Sequence, residues 1–291
     1  MIQTGGQRPL TGAMMIVVAA ALIAGTALLA KALGTGAEAL SPVQITWGRY
    51  TFALLLLVII ATLKRPYFAP FSVPLHTARV LSGVTGVTCL FAAATLIPLA
   101  DATAITFLNP IIAMVLAVFF LGEPSRRLRW LLALAAFGGA LLLIRPGSTA
   151  FQPAALIALL AALLTGIEVT VLKLLSQREP NYQILLISNV GGAAIASIVV
   201  LWFWQMPTPA QWAMLVAIGV VMLSAQFLYV TALRHGDASF IVPFSYATLL
   251  FAALYDLVLF NTIPVPLSIL GGIVIAVSGV ALAWSEGKRS A

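Results

Sequence analysis

The sequence is poor in charged residues. Of its 291 residues, 15 are Lys or Arg and 8 are Asp or Glu, so charged side chains make up only 8% of the chain. Soluble domains carry about 25%. So few charges cannot cover a water-facing surface without leaving large apolar patches. The composition therefore argues against a soluble enzyme, a disordered chain and a nucleic-acid-binding module, although the net charge is +7.

Cysteine and histidine are also scarce. The single cysteine, Cys89, excludes a disulfide framework and a cysteine-based zinc site. Two histidines, His76 and His235, leave little from which to build a metal centre. We therefore expect no metal ion and no cofactor.

Apolar residues dominate instead, at 62% of the chain, with a mean hydropathy of +1.10. A helix that crosses a bilayer needs roughly 20 mostly apolar residues, and the alternation typical of a membrane β-strand is missing. Gly, Pro and charged residues divide the chain into ten candidate spans, at 13–33, 43–63, 76–98, 101–121, 128–145, 153–175, 181–203, 209–233, 238–261 and 264–284. The sequence predicts an all-α integral membrane protein with ten transmembrane helices, the first of them a span and not a cleaved signal.

The basic residues predict the orientation. With a cytoplasmic N-terminus, the cytoplasmic side holds most of them, namely Arg8, Lys64, Arg65, Arg79, Arg126, Arg127, Arg129, Lys173, Arg178, Arg234, Lys288 and Arg289. The other side holds only Lys31 and Arg145, and Arg49 falls inside the second span. We therefore expect both termini to be cytoplasmic in a multi-pass protein of the cell's inner membrane.

The two halves of the chain resemble each other. Residues 100–123 and 236–261 both begin with a small residue, Asp and Ala, and both carry a mid-span proline, Pro110 and Pro243. We divide the chain into five-helix repeats at 1–147 and 148–291. Because five is odd, the second repeat is expected to be inverted relative to the first, an arrangement typical of secondary transporters.

Three segments resemble the EamA family of the drug/metabolite transporter (DMT) superfamily: SPVQITWGRY (41–50), ATAITFLNPIIAMVLAVFFLGE (102–123) and GGIVIAVSGVALAW (271–284). The resemblance implies a secondary transporter that exports small metabolites, and the amino-acid exporters of the YddG type are similar in overall plan. One departure is that the second repeat has Asn261 near the place where the first has Glu123. If that glutamate acts in gating, only one half carries it.

Ionisable groups inside a span are expensive, so each one raises a functional hypothesis. Arg49 is either an anchor for a substrate carboxylate or a structural arginine that binds helix-end carbonyls or Asp256. Glu168 has two interpretations. It is a proton-coupling or gating carboxylate, or it is structural, through a hydrogen bond to another helix or a pairing with Lys173. Asp256 is likewise either a coupling or gating carboxylate or a partner in a structural pairing.

Uncharged polar residues complete the candidate site. We expect five of them to face a substrate cavity together with Arg49 and Glu168, namely Asn109, Gln226, Tyr229, Ser245 and Tyr246. Small polar residues also serve simply to let helices pack closely. Pro110 and Pro243 are candidate hinges for alternating access, because a proline frees a backbone carbonyl.

The predicted function is export of amino acids, apolar or aromatic and in a broad range. Transport of another small organic solute or of a drug-like cation is the alternative, and an intramembrane enzyme or a channel is a second. Nucleotide sugars fit poorly, because their phosphates call for several intramembrane basic residues. The expected partners are a small-molecule substrate and the lipid bilayer, without nucleic acid, for a chain that can act as a monomer.

Overall fold

The computed structural model describes residues 8–34, 38–96, 105–124, 126–144, 154–260 and 266–290. Within these ranges the chain forms helices and no strands. The α-helices are α1 (Pro9–Leu33), α2 (Pro42–Lys64), α3 (Val73–Leu96), α4 (Asn109–Leu121), α5 (Arg127–Ile144), α6 (Ala154–Ser176), α7 (Asn181–Val200), α8 (Pro209–His235), α9 (Ala238–Ile241), α10 (Ala247–Phe260) and α11 (Pro266–Ser290). A 3₁₀ helix, Val242–Tyr246, joins α9 to α10.

Six helical segments are long and apolar enough to cross a membrane: Pro9–Leu33, Pro42–Lys64, Ala155–Ser176, Asn181–Val200, Pro209–His235 and Ala238–Tyr255. Shorter apolar helices occupy Asn109–Leu121 and Ile269–Ser285. Every predicted span contains helix. The prediction of an all-α membrane protein is confirmed.

Several helices begin where the sequence supplies a proline and a capping side chain. Pro42 follows Ser41, whose hydroxyl accepts the Gln44 backbone N–H at 3.2 Å. Thr208 and Gln211 form a reciprocal capping box at the start of α8, with bonds of 3.3 and 2.9 Å. A proline in the first helical turn costs little, because its missing N–H has no partner within the helix.

The fourth and ninth predicted spans both change their local structure close to the proline that each contains. The helix α4 begins only at Asn109, so that Pro110 lies in its first turn, and residues 101–104 fall outside the described residues. Pro243 lies in the 3₁₀ segment between α9 and α10. Both repeats therefore change their helical geometry at the proline, the residue that cannot continue the α-helical hydrogen-bond ladder.

The helix packing has an approximate twofold symmetry that exchanges the halves. The equivalent pairs are α1 with α8 and α3 with α6, and likewise α1 with α10 and α4 with α6, whereas α2 packs more extensively on α8 than α3 does on α7. In the pairs α2–α7 and α5–α11, each helix packs against its own equivalent in the other half, so the exchange of halves leaves these pairs unchanged. A unit of five spans can obey this exchange only if its copy is inverted in the membrane. The boundary that we predicted near residue 147 lies outside the described residues.

Candidate substrate-binding site

A cavity of about 700 Å³ lies between α2, α3 and α7. It runs from Ser41 and Phe203, at the ends of α2 and α7, inward to Arg49 and Tyr50. Its walls are mainly aliphatic, from Val43, Val84, Val87, Ile195 and Val199. A space of this size and character holds a small organic molecule with a substantial apolar part.

Arg49 lies at the inner end of this cavity. Its guanidinium carbon is 4.7 Å from the centroid of the Tyr50 ring, and Nη2 is 3.5 Å from the Tyr50 hydroxyl oxygen. The buried Nε of Arg49 has no hydrogen-bond partner among the described residues. A guanidinium donor without an acceptor is costly to bury, and its planar fork matches a carboxylate. The inner end of the cavity is thus lined by the guanidinium of Arg49, a group whose geometry suits a carboxylate.

The Tyr50 ring closes the cavity on the inside. It lies so close to Gly192 that a Cβ on that residue would come within 2.5 Å of two ring carbons. Behind the ring is a second pocket of about 20 Å³, roughly the space of one water molecule. Its lining includes Arg79, Glu168 and Gln226.

Glu168 rests against the backbone of α3. A Cβ on Gly83 would lie 3.1 Å from both of its carboxylate oxygens and 2.9 Å from its carboxyl carbon. Arg79 exerts the largest electrostatic effect on this carboxylate, and Arg49 the next. Arg79 Nη1 donates to the Ile184 carbonyl oxygen at 3.0 Å and to the Ser188 hydroxyl. The carboxylate of Glu168 therefore lies close to two guanidinium groups, those of Arg79 and Arg49.

The structure places the other predicted site residues in two groups. Gln226 lines the inner pocket and accepts a 3.4 Å hydrogen bond from Asn189 Nδ2. Tyr229, three residues further along α8, lies within the electrostatic influence of Glu168. Arg49, Glu168, Gln226 and Tyr229 thus come together around α2, α3, α6, α7 and α8.

The remaining candidates lie elsewhere. The Tyr246 hydroxyl donates to the Phe107 carbonyl oxygen at 3.0 Å, and the two rings stack at 6.0 Å. Tyr246 is fully buried there, away from the cavity. Ser245, beside it, is half-buried, and neither residue lines the 700 Å³ cavity.

Pro110, Pro243 and Asn109 also lie outside the lining of the 700 Å³ cavity. Pro243 borders a different apolar cavity of about 280 Å³ between α1, α5, α10 and α11. Pro110 is buried, and the Asn109 carbonyl oxygen is 3.3 Å from where a Cβ of Gly166 would lie. Asp256 belongs to α10, but its side chain is outside the described part of the chain.

Arg79 and Tyr50 are site residues that we did not anticipate. We counted Arg79 among the cytoplasmic charges, whereas the structure leaves it only 4% exposed, six residues into α3. A signal was available, because the third span was predicted to begin at residue 76 and so already contained this arginine. An ionisable group inside a span indicates function.

Charged residues tie the two halves together at one end of the molecule, here called the ionic end. The Glu123 carboxylate accepts the backbone N–H groups of Ala238 and Ser239 at 2.7 and 2.8 Å. Arg129 Nη1 is 2.9 Å from Asp237 Oδ2. Such bonds combine charge with the exposed N–H groups of a helix start.

Two more groups belong to the ionic end. Lys173 Nζ donates to the carbonyl oxygens of Leu233 and Gly236, each at 2.5 Å. These carbonyls, and not Glu168, are therefore its hydrogen-bond partners. His76 Nε2 is 2.7 Å from Glu179 Oε2, and Glu179 also accepts the Ser72 backbone N–H at 3.1 Å.

The opposite end, here called the aromatic end, is built from rings. Trp47 makes edge contacts with Phe52, Trp204 and Trp212, at centroid distances of 6.2, 5.1 and 6.3 Å. Tryptophan is enriched at membrane interfaces. The 700 Å³ cavity extends toward this end, through Ser41 and Phe203.

Comparison with known proteins gives consistent matches over most of the chain. The model of the EamA-like transporter family matches residues 10–145 and 152–285. The pseudopaline exporter CntI of Pseudomonas aeruginosa is 28% identical over 274 residues, which cover 93% of this chain and 96% of that protein. The S-adenosylmethionine uptake transporter of Rickettsia prowazekii is 25% identical over 262 residues, covering 90% of this chain and 88% of its own.

Two further matches agree. The riboflavin transporter of Vibrio cholerae is 29% identical over 222 residues, covering 74% of this chain and 73% of its own. A solved crystal structure superimposes with a TM-score of 0.79 at 19% identity, covering 96% of this chain and 98% of that one. That last similarity establishes the fold alone.

Proposed function

The chain belongs to the EamA-like transporter family, and from that premise we propose that it exports amino acids by alternating access between its two inverted repeats. The protein is a multi-pass membrane transporter of small metabolites in the DMT superfamily, and not an enzyme. The compounds named for its relatives differ chemically, so membership of the family leaves the substrate open.

The observation that carries the substrate proposal is Arg49 at the inner end of a largely aliphatic cavity. A carboxylate can bind its guanidinium in bidentate fashion, while an apolar or aromatic side chain occupies the space between α3 and α7. S-adenosylmethionine, the compound named for one set of relatives, has an amino-acid end. That chemistry supports a carboxylate-bearing metabolite as substrate.

The two ends of the molecule support alternating access. The cavity reaches the aromatic end, whereas ion pairs and capped helix ends hold the ionic end together. To release substrate at the ionic end, α9 must part from Glu123 while the Trp47 cluster closes. Pro110 and Pro243, each at a change of helical geometry, are the hinges that we propose for this motion.

We assign the ionic end to the cytoplasm, because the exposed basic residues Arg8, Lys64 and Arg127 lie on that side of the predicted topology. Export then corresponds to binding with the ionic end open and release at the aromatic end. The relatives include both an exporter and an uptake transporter, so the direction of transport is part of the proposal. Glu168, and Asp256 in the other repeat, are the proposed coupling or gating carboxylates.

The test is counterflow in proteoliposomes. The panel contains labelled Phe, Met, Thr and Lys, a sugar and a choline-like cation, each with and without an imposed pH gradient. We expect saturable amino-acid counterflow and, in Arg49→Gln, a KM raised at least about tenfold, since a charge-assisted hydrogen bond contributes about 1.5–3 kcal/mol.

Arg127→Gln is the matched control, because Arg127 is exposed at the start of α5 and distant from the cavity. It should leave KM unchanged. Transport of the sugar or of the cation alone would contradict the amino-acid proposal and leave the transporter family intact. Proton coupling would be supported if an imposed pH gradient drives substrate accumulation by the wild-type protein but not by the Glu168→Gln variant.

A further inference from the structure

We propose that the site recognises the carboxylate of its substrate and does not recognise the amino group, so that amphipathic monocarboxylates without an amine are bound as well as the matching amino acids. The inference rests on the proposed function, since it concerns the same cavity. It goes beyond that function by naming the chemical group on which selection depends.

The charges of the described site residues carry the inference. Arg49 is the charged residue in the lining of the 700 Å³ cavity, and none of the described lining residues is acidic. Arg49 Nε is buried without an acceptor. One carboxylate is therefore enough to compensate the charge that this cavity exposes. A substrate ammonium finds no opposite charge among these described lining residues.

Glu168, in the pocket behind the Tyr50 ring, is the carboxylate among the described residues that could receive an ammonium, and two features keep it from that role. The Tyr50 ring, seated on Gly192, separates the cavity from the pocket that contains Glu168. Arg79 lines the same pocket, so its guanidinium charge already acts on Glu168. An ammonium bound beside Glu168 would stand next to the buried, like-charged guanidinium of Arg79, and like charges repel strongly where water is excluded.

An ammonium group can instead remain near the mouth of the cavity. The described lining residues there include three with hydroxyl groups, Ser41, Thr46 and Thr88, and a neutral hydroxyl binds water as well as an amine. Such a position leaves the amine hydrated and adds no discrimination. The apolar body of the substrate still gains from burial against the aliphatic walls, with or without the amine.

Three compounds that share one carbon skeleton test this inference by competition. In proteoliposomes loaded for phenylalanine counterflow, we compare unlabelled phenylalanine, 3-phenylpropionate, which lacks the amine, and phenethylamine, which lacks the carboxylate. We expect 3-phenylpropionate to inhibit within about threefold of phenylalanine, and phenethylamine to be weaker by at least about tenfold, the equivalent of 1.4 kcal/mol.

Arg49 variants link this selectivity to the residue. Arg49→Gln should bring the carboxylate and the amine to similar, weak inhibition, whereas Arg49→Lys should keep the preference for the carboxylate with reduced affinity. Thermal unfolding in detergent shows whether each variant is folded. If Arg49→Gln does not fold, Arg49→Lys is used for the test. Arg127→Gln should preserve the wild-type order.

The outcomes separate this inference from the proposed function. If phenylalanine is transported and 3-phenylpropionate is weaker by tenfold or more, the inference fails while amino-acid transport stands. If 3-phenylpropionate shifts the unfolding temperature but no amino acid is transported, amino-acid transport fails and carboxylate recognition stands. Inhibition by phenethylamine as strong as that by phenylalanine overturns the inference.

Discussion

Gln44 and Gln183 make equivalent hydrogen bonds at opposite ends of the molecule. Each is the third residue of its helix, α2 or α7, and each is almost completely buried. Gln44 Oε1 accepts the backbone N–H of Gln205 at 3.1 Å, and Gln183 Oε1 accepts that of Ala69 at 2.8 Å. In both cases the donor lies in a loop of the other half. The inverted repeat is therefore evident in single hydrogen bonds as well as in helix packing.

Removing either glutamine should destabilise the protein by a similar amount. Gln44→Ala and Gln183→Ala each remove two hydrogen bonds, and one such bond contributes about 0.5–1.5 kcal/mol net to stability. Because the two sites are at opposite ends, the losses should add in the double variant. Thermal unfolding in detergent measures this. Gln177→Ala, at an exposed position, is the control, and an equally large loss there would contradict the prediction.

Gly83→Ala should displace the Glu168 carboxylate, whereas Gly138→Ala should displace no neighbour. Gly83→Ala places a methyl group 2.9 Å from the Glu168 carboxyl carbon, and nothing lies within 4 Å of the equivalent position at Gly138. Overpacking of this kind typically costs about 1–3 kcal/mol. We expect Gly83→Ala to lower both stability and transport and Gly138→Ala to change neither. Full transport by Gly83→Ala would mean that the position of Glu168 is unimportant.

The contact of Tyr50 with Gly192 should be visible in a double-mutant cycle. Gly192→Ala alone forces the Tyr50 ring away, because the new methyl would lie 2.5 Å from two ring carbons. In a Tyr50→Ala background the same change meets no ring, so it should cost much less. We expect a coupling free energy of about 1–3 kcal/mol from thermal or denaturant unfolding. Strictly additive effects would show that the ring does not rest on Gly192.

Glu123 should hold the ionic end closed. Its carboxylate accepts two backbone N–H groups at the start of α9, and loss of such a cap costs about 0.5–2 kcal/mol. In a Cys89→Ser, Ser239→Cys background, Glu123→Ala should increase the labelling rate of Cys at the buried position 239 by a hydrophilic maleimide severalfold. Glu123→Gln, which retains one acceptor, should give a smaller increase.

Glu38→Ala is the control for that experiment, because Glu38 is exposed and contacts Gln211 through its backbone oxygen. It lies at the aromatic end and should leave labelling at position 239 unchanged. A labelling rate that does not respond to Glu123→Ala would mean that other contacts, such as Arg129 with Asp237, keep this end closed by themselves.

The sequence was sufficient to predict the helices and the inverted repeat, because hydropathy and proline positions depend on local composition. Of the candidate residues, Arg49, Glu168 and Gln226 meet around the two pockets. Each is a charged or amide group within an apolar run, where burial without a partner is too costly to occur by accident.

Side-chain direction was not predictable in the same way. These helices are apolar on nearly all faces, so the sequence pattern does not tell which face meets lipid and which meets another helix. Tyr246 was expected in the cavity and instead donates to Phe107 within a packed cluster. Arg79 was counted among the cytoplasmic charges, yet α3 starts at Val73 and buries it. Only interhelical packing determines these positions.

The difference between the ionic and aromatic ends has a kinetic consequence. A solute that arrives where the protein rests open meets a competent site at once. One that arrives at the other face binds only in the fraction of molecules whose ionic contacts have separated, and its apparent Kd rises in inverse proportion to that fraction. At low substrate concentrations the transporter will then carry solute faster in one direction than in the other, and the substrate concentration that gives half-maximal transport will differ between its two sides. The overall equilibrium across the membrane is still fixed by the gradients alone.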